Sequence, residues 1–227
     1  MGFEPTKFDK PIYEEESVEP KKAFIISCEG KNTEPEYFIT LKNKLSDYID
    51  ALIEIELVPK LSGSAPSNVV EDLQNYIIDK KDKYGYEQNY DEFWIIIDRE
   101  KQETRKENIL KILPICESDD IKIAIVNPVF EFWLILHLVD DILSKYTNTK
   151  LYENKKISTK KRFLDKELSG ILGSYSKKAD KFPKEIISIE NIKRAIEQEK
   201  LFENEVEKII DNLGSNIGKL VGKIVNI

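Results

Sequence analysis

Four short apolar runs alternate with segments of helical periodicity through roughly the first 140 residues, and this alternation constrains the fold more than any other feature of the sequence. The runs are residues 22–28, 53–57, 93–97 and 121–126, and the helical segments are 34–49, 68–84, 103–113 and 130–143. Strands that alternate with helices favour a mostly parallel sheet with helices on both faces. We therefore predict an α/β fold with a mostly parallel four-stranded sheet flanked by helices, in which residues 53–57 form an edge strand.

The rest of the chain has a different character. Residues 1–20 are acidic and contain three prolines, which is typical of a flexible arm. Beyond about residue 140, helical spacing recurs over 191–211 and 217–225, a charged stretch over 145–166 is compatible with helix, and no further strand is expected. We predict an N-terminal arm over 1–20, an α/β catalytic core over 21–140, and a helical region over 141–227 that packs on the core.

Composition restricts the partners. The chain has 35 Lys and Arg residues against 42 Asp and Glu residues, a net charge of −7, so nucleic-acid binding would have to be local or assisted by another subunit. Cys28 and Cys116 adjoin apolar segments and predict reduced thiols in a cytoplasmic protein, without a zinc site. We find no apolar stretch of the roughly 20 residues that a membrane span requires.

Carboxylates follow two of the predicted strands. Glu29 and Gly30 come directly after the first strand, and Asp98 and Glu100 come at the end of the third. Parallel strands bring such ends to one edge of the sheet, and Asp98 and Glu100 share a face if the strand continues past Ile97. Carboxylate oxygens suit Mg²⁺ or Mn²⁺, so these three acids predict a divalent-cation site. The alternative is that they are solvated acids at the surface.

Two further segments carry polar groups near predicted helix starts. Lys31 precedes the first helix, where backbone N–H groups can bind phosphate. Asn127 ends the fourth strand and can cap the following helix, which Pro128 opens, while Glu131 in its first turn suits the helix dipole.

Three isolated candidates have weaker contexts. Lys177 and Lys178 can contact a phosphate, although lysine pairs in loops are commonly only solvated. His137 is the only histidine, and packing is a more frequent role for such a residue than general-base catalysis.

Three groups of residues together resemble the RloB-like family, which includes AbiL-type abortive-infection components. They are Cys28-Glu29-Gly30 with Thr33-Glu34 and Tyr37-Phe38, the strand end Asp98-Arg99-Glu100, and Asn127-Pro128-x-Phe130-Glu131-x-Trp133. The resemblance extends to Tyr175, to Lys177 or Lys178, and to the closing segment over 212–225. The family in turn is similar to the Toprim fold, in which a glutamate after the first strand and an Asp-x-Asp pair after a later one bind magnesium for phosphodiester chemistry.

The resemblance implies a Mg²⁺- or Mn²⁺-dependent nuclease that cleaves DNA or RNA, tRNA included. It implies metal ligation by Glu29, Asp98 and Glu100, assistance or general-base catalysis by Glu131, and substrate contacts from the group Lys31, Asn127, Lys177 and Lys178. It also implies a role in phage defence with an AAA- or ABC-type ATPase partner, in a chain that can form homo-oligomers.

One departure from the Toprim pattern keeps other functions open. Glu100 stands where that pattern has a second aspartate, which lengthens the side chain by one methylene. The main alternative is therefore a catalytically degenerate Toprim-like module that binds or signals within a defence complex. Nucleotidyl transfer and strand passage are further options, although no tyrosine is placed convincingly as the nucleophile for strand passage.

Overall fold

In the computed structural model, which describes residues 21–50, 52–87, 90–159 and 161–227, five strands form a single sheet. They are β1 (Lys22–Cys28), β2 (Ile53–Leu57), β3 (Glu92–Asp98), β4 (Ile121–Asn127) and β5 (Gly214–Ser215). The order across the sheet is β2-β1-β3-β4-β5, and the first four strands are parallel. The predicted α/β class and the mostly parallel sheet are thus confirmed, while the predicted arm over 1–20 lies outside the described residues.

The prediction of four strands is wrong, because β5 adds an antiparallel strand beside β4. Its two residues are too few to produce the alternating pattern that marks a strand in a sequence. A side chain extends the hydrogen bonding between β5 and β4: Asn216 accepts from Ile125 N–H at 2.7 Å and donates to Ile123 O at 2.9 Å. Gly214 is required here because a Cβ would overlap the Glu203 carbonyl group.

Ten α-helices are present in the described residues. They are α1 (Thr33–Lys44), α2 (Pro66–Tyr84), α3 (Glu103–Ser118), α4 (Phe130–Leu138), α5 (Ile142–Lys145), α6 (Asn148–Glu153), α7 (Phe163–Ile171), α8 (Ile189–Glu199), α9 (Val206–Ile209) and α10 (Ile217–Ile224). Short 3₁₀ turns at Ser46–Tyr48, Ala179–Lys181 and Lys184–Ile186 join some of them. In this part of the chain, none of the helices is both long and apolar enough to cross a membrane.

Two predicted helices are interrupted in the structure. The helix expected over 130–143 stops at Leu138, because the Gln198 side chain donates to Leu136 O and Val139 O and accepts from Ile142 N–H. The helix expected over 191–211 is divided into α8 and α9, with a bridge between Glu203 and Gly214 in the gap. Both interruptions depend on partners distant in sequence, which local periodicity does not reveal.

The sheet separates two apolar clusters. The larger one packs α1, α4, α8 and α10 against one face of the sheet and includes Phe24, Trp94 and Trp133, all nearly inaccessible. The smaller one packs α2, α3 and α9 on the other face and includes Ile25 and Ile95. With helices on both sides, polar groups at the strand ends can reach solvent only at the edges of the sheet.

Candidate functional site

The carboxyl ends of β1 and β3 bring Glu29 and Asp98 together. Cys28 pairs with Ile96 in the parallel register, and Glu29 N–H continues the ladder by donating to Ile96 O at 2.9 Å. The Glu29 carboxylate turns toward β3 and accepts from Asp98 N–H at 3.0 Å. Beside them lies a cavity of about 220 Å³, lined by Glu29, Gly30, Lys31, Asn32, Thr33, Glu34, Ser64, Asp98, Phe130, Glu131 and Lys177.

Asp98 connects this cavity to α4. Its Oδ1 atom accepts from Phe130 N–H, at the start of α4, at 2.9 Å. The N-cap residue of α4 is Val129, whose side chain cannot accept a hydrogen bond, so Asp98 satisfies an N–H group that a capping residue would otherwise serve. The strand end is therefore held against a helix N-terminus, which favours a negative charge there.

Glu34 is a member of the cavity that sequence reasoning did not select. It lies in the first turn of α1, is 6% exposed, and its Oε1 accepts from Gly30 N–H at 3.2 Å. A Cβ at residue 30 would overlap the Glu34 carboxylate, so Gly30 is needed to leave room for it. The spacing of Glu29 and Glu34 across a strand-to-helix turn was the available signal, but a glutamate at a helix start has an ordinary explanation in the helix dipole.

Glu131 is the fourth carboxylate of the cavity. It is 2% exposed, and its Oε1 accepts from Tyr175 O–H at 2.8 Å and from Lys177 Nζ at 2.8 Å. Lys177 also lies 3.4 Å from Asp165 Oδ1, and about half of its side chain remains exposed. These contacts bring residues 175–177, far away in the sequence, to the wall of the cavity.

Arg105 contacts the Glu29 carboxylate and was also not predicted from the sequence. Its guanidinium is ion-paired with Glu29 and donates to Asp98 O at 3.0 Å and to Ser64 O at 2.9 Å. Arg105 lies in the first turn of α3, where the helix dipole disfavours a cation. The contact with Glu29 explains why a buried arginine is tolerated at this position.

Burial and mutual repulsion raise the pKa values of three of these carboxyl groups. For Glu34, burial is the main cause, the charges of Glu131 and Glu29 add to it, and the pKa reaches about 7. The pKa of Asp98 is raised by burial and then by the charges of Glu34, Glu29 and Glu131. The pKa of Glu29 is raised by burial despite the opposing effect of Arg105. The folded chain thus confines negative charge that it does not fully neutralise.

Other predicted site residues lie at the rim or outside the cavity. Lys31 is exposed at the rim. β3 ends at Asp98, so the extended conformation expected past Ile97 is absent, and Glu100 adopts φ +48° and does not line the cavity. Its charge still raises the pKa of Glu29, so Glu100 lies near that carboxylate. Lys178 is exposed and, unlike Lys177, is not part of the cavity wall.

Asn127 and His137 have packing contacts. Asn127 donates to Ile209 O at 2.8 Å and faces α9 instead of the cavity; the expectation that it caps α4 is wrong, because the N-cap is Val129. His137 is fully buried between Tyr37 O–H at 3.1 Å and Trp133 O at 2.9 Å, and burial lowers its pKa to about 4. Its surroundings are those of a packed, neutral imidazole.

The residues suit a hard cation in donor type and charge but are not preorganised around one. Among the described residues, no group of three or more His, Cys, Asp or Glu side chains is arranged so that it could hold a metal ion. However, the hydrogen bonds to Glu29, Asp98 and Glu131 fall on one oxygen of each carboxylate, which leaves the second oxygen as a potential ligand. A divalent cation would also relieve the repulsion that raises the pKa values.

Comparison with known proteins gives one match. A family model described as RloB-like protein matches residues 24–224, which is most of the chain and includes every residue of the cavity. Searches of curated proteins and of solved structures give no significant match.

Proposed function

The chain belongs to the RloB-like protein family, and from that premise we propose that it is a metal-dependent nuclease that hydrolyses phosphodiester bonds of DNA or RNA. The observation that carries the proposal is the cavity at the carboxyl ends of β1 and β3, where Glu29, Glu34, Asp98 and Glu131 crowd together. Strongly raised carboxyl pKa values in a cleft are characteristic of functional sites. The Toprim-like identity of the fold belongs to this proposal.

In the proposed reaction, the carboxylates at the strand ends would hold the metal ion. Glu29 and Asp98 would hold Mg²⁺ or Mn²⁺, with Glu34 or Glu100 as a further ligand. The cation, when bound, would supply an activated water and neutralise charge that develops on the phosphoryl group.

Other side chains of the protein would bind the substrate and transfer protons. Lys177 is positioned by Glu131 at 2.8 Å and, being half exposed, can contact a substrate phosphate, as can Lys31 at the rim. Glu131 would move a proton or hold Lys177 in place, because Tyr175 and Lys177 fix one of its oxygens. The charge of Lys60 also acts on the site, since it opposes the rise in the pKa of Glu29.

The biological setting is proposed from family membership alone. We propose a phage-defence effector in the cytoplasm that acts with an AAA- or ABC-type ATPase. Such a partner would help to present nucleic acid to a chain with a net charge of −7. tRNA is included among the substrates, and a homo-oligomeric assembly is compatible with the proposal.

A second candidate function is a noncatalytic binding or signalling module of a defence complex. Two observations favour it: Arg105 already pairs with Glu29, and no described group of side chains is arranged to hold a metal. In this case the cavity would be a remnant of an ancestral metal site, and neutralising its carboxylates would leave the biological activity intact.

The deciding experiment is a cleavage assay with purified protein, Mg²⁺ or Mn²⁺, and labelled plasmid, single-stranded DNA and total tRNA, with and without a neighbouring ATPase where one is encoded. Asp98→Asn and Glu29→Gln should each lower cleavage by about 10²- to 10³-fold. The matched controls are Asp119→Asn and Glu54→Gln: Asp119 is exposed, Glu54 is partly exposed, and neither residue lines the cavity. Unchanged cleavage in folded Asp98→Asn and Glu29→Gln proteins would leave the noncatalytic module as the better account.

A further inference from the structure

A second, larger cavity opens at the same edge of the sheet as the carboxylates. It is a groove of about 700 Å³ whose walls include Lys101, Tyr152, Lys200, Phe202, Asn212 and Leu213. Lys101 follows Asp98 by three residues, and Leu213 directly precedes β5, so the groove lies beside the carboxyl end of the sheet. A volume of this size is typical of cavities that bind small organic groups. The proposed reaction gives the groove no role.

The groove combines an aromatic ring with a cation that is available for binding. Lys101 Nζ lies 5.2 Å from the centre of the Tyr152 ring. Within the described ranges Lys101 has no carboxylate at ion-pair distance. Of the three acidic residues of the groove, Glu153 is paired with Lys155 at 2.9 Å and Asp211 with Lys106 at 2.5 Å, while Glu203 has no ion pair in this part of the chain. The groove therefore offers an unpaired ammonium next to a half-buried ring.

We propose that this groove binds an unpaired nucleotide of a single-stranded nucleic acid, with the base stacked against Tyr152 and a phosphate bound by Lys101. Aromatic rings next to lysines are the usual means of binding unpaired bases without regard to sequence. The exposed contact between Lys101 and the ring is weak, so the ammonium can move to a phosphate and free the ring for a base. Amide groups such as that of Asn212 can bond to polar atoms of the base.

The position of the groove would allow it to select single-stranded over duplex substrates. Lys101 lies in the segment directly after β3, three residues beyond Asp98, so a strand with one nucleotide beside Tyr152 could extend from Lys101 toward Asp98. A base within a duplex is stacked and paired, so it cannot reach Tyr152 in this way. The inference rests on the nucleic-acid substrate of the proposed function, and it does not require catalysis.

Binding is measured by fluorescence anisotropy in EDTA, so that nothing is cleaved, with labelled single-stranded DNA and RNA of about 12 nucleotides and with duplexes of the same sequence. Tyr152→Ala should weaken single-strand binding by about 5- to 100-fold, and Tyr152→Phe should not. Lys101→Ala should weaken binding and reduce the slope of log affinity against log salt by about 0.7, as expected for the loss of one phosphate contact.

The chain offers a matched control for each variant. Lys145 Nζ lies over the Tyr146 ring at 5.4 Å, outside the groove, so Lys145→Ala removes a comparable cation–π contact without affecting the proposed site. Tyr48 is half exposed in a 3₁₀ turn, and Tyr48→Ala removes an accessible ring elsewhere. Both controls should bind like the wild type, and melting curves should show that every variant is folded.

The outcomes separate this inference from the proposed nuclease. If the wild type binds single strands and Tyr152→Ala and Lys101→Ala bind equally well, the groove is not the site, and the nuclease proposal stands. If these variants lose binding and no substrate is ever cleaved, the groove stands and catalysis is refuted. Preference for duplex over single strands, or no binding of any nucleic acid by the wild type, overturns the inference.

Discussion

Strand β3 has a carboxylate at each end, and the two groups have opposite surroundings. Glu92, the first residue, accepts hydrogen bonds from Lys22 at 2.8 Å and from Lys223 at 3.0 Å, and Lys122 lies 3.2 Å away. Burial opposes its ionisation, but these lysines lower its pKa to about 2. Asp98, the last residue, is surrounded by the carboxylates Glu29, Glu34 and Glu131, and its pKa is raised.

The contrast assigns Glu92 to the stability of the fold and makes Asp98 a candidate functional group. Glu92 is neutralised by three lysines and ties together β1, β4 and α10, so its burial favours the folded state. Asp98 has few cations around it, and like charges raise the free energy of the folded chain. A fold retains such a destabilising group where it serves a function, because activity and stability often oppose each other. Carboxylate-to-amide substitutions at the two ends should therefore have effects of opposite sign.

The largest effect on stability is expected at the amino end. Glu92→Gln should lower the free energy of unfolding at pH 7 by about 3 kcal/mol, after allowance for solvent screening at the partly exposed lysines. The lowered pKa predicts the pH dependence: the stabilisation is complete above the ordinary pKa of 4.5 and is lost as the pH falls toward about 2. Urea titrations at several pH values measure both the loss of stability in Glu92→Gln and the pH dependence of the wild type. An unchanged unfolding midpoint would mean that the lysines do not stabilise Glu92 as inferred.

A smaller effect of opposite sign is expected for Glu34. Its pKa in the folded protein, about 7, exceeds the ordinary value of 4.5, so the metal-free protein should lose stability as the pH rises from 4.5 to 7. A pKa shift of this size lowers the free energy of unfolding by about 3 kcal/mol. We expect Glu34→Gln to restore about 2 kcal/mol of it at pH 8, because glutamine can still accept from Gly30 N–H. Thermal unfolding between pH 5 and 8 should give a flatter curve for the variant. A slope equal to that of the wild type would contradict the raised pKa.

Asp98→Asn should stabilise the metal-free protein by about 1 kcal/mol at pH 8. The asparagine Oδ1 can still accept from Phe130 N–H, so the substitution removes charge without removing the contact at the start of α4. Differential scanning calorimetry with and without Mn²⁺ measures the effect, and we expect the metal to stabilise the wild type more than the variant. A destabilised variant would place Asp98 with Glu92 among the structural carboxylates.

Much of the sheet and two site residues could be predicted from local sequence. Three of the four parallel strands, β1, β3 and β4, are largely buried runs of apolar residues, and β2 alternates apolar residues with glutamates; both signals depend on neighbouring residues only. Parallel topology then requires the ends of β1 and β3 to meet, which is why Glu29 and Asp98 are brought together as expected. In these cases periodicity and topology were sufficient.

The missed features depend on contacts between distant segments. Glu34 reads locally as a helix-start residue and Arg105 as an exposed helical cation, until folding brings the ends of β1 and β3 beside them. Likewise, the break after α4 depends on Gln198, and β5 depends on Asn216. The shared strand face expected for Asp98 and Glu100 is absent, because β3 ends at Asp98 and Glu100 adopts a positive φ. None of these contacts leaves a periodic signal in the sequence.

Arg105 gives the sharpest test of the contrast, because it is the one buried cation paired with Glu29 in the described residues. Its guanidinium occupies a Glu29 oxygen and adds positive charge, so it should compete with a metal. Arg105→Gln should therefore raise Mn²⁺ affinity about tenfold, or about 1.4 kcal/mol. Lys106→Gln is the control, since Lys106 pairs with the exposed Asp211. Calorimetric titration with Mn²⁺ measures the affinity. Weaker binding by a folded Arg105→Gln protein would show that Arg105 positions Glu29 for the metal. The carboxyl end of β3 would then depend on Arg105 as the amino end depends on its lysines.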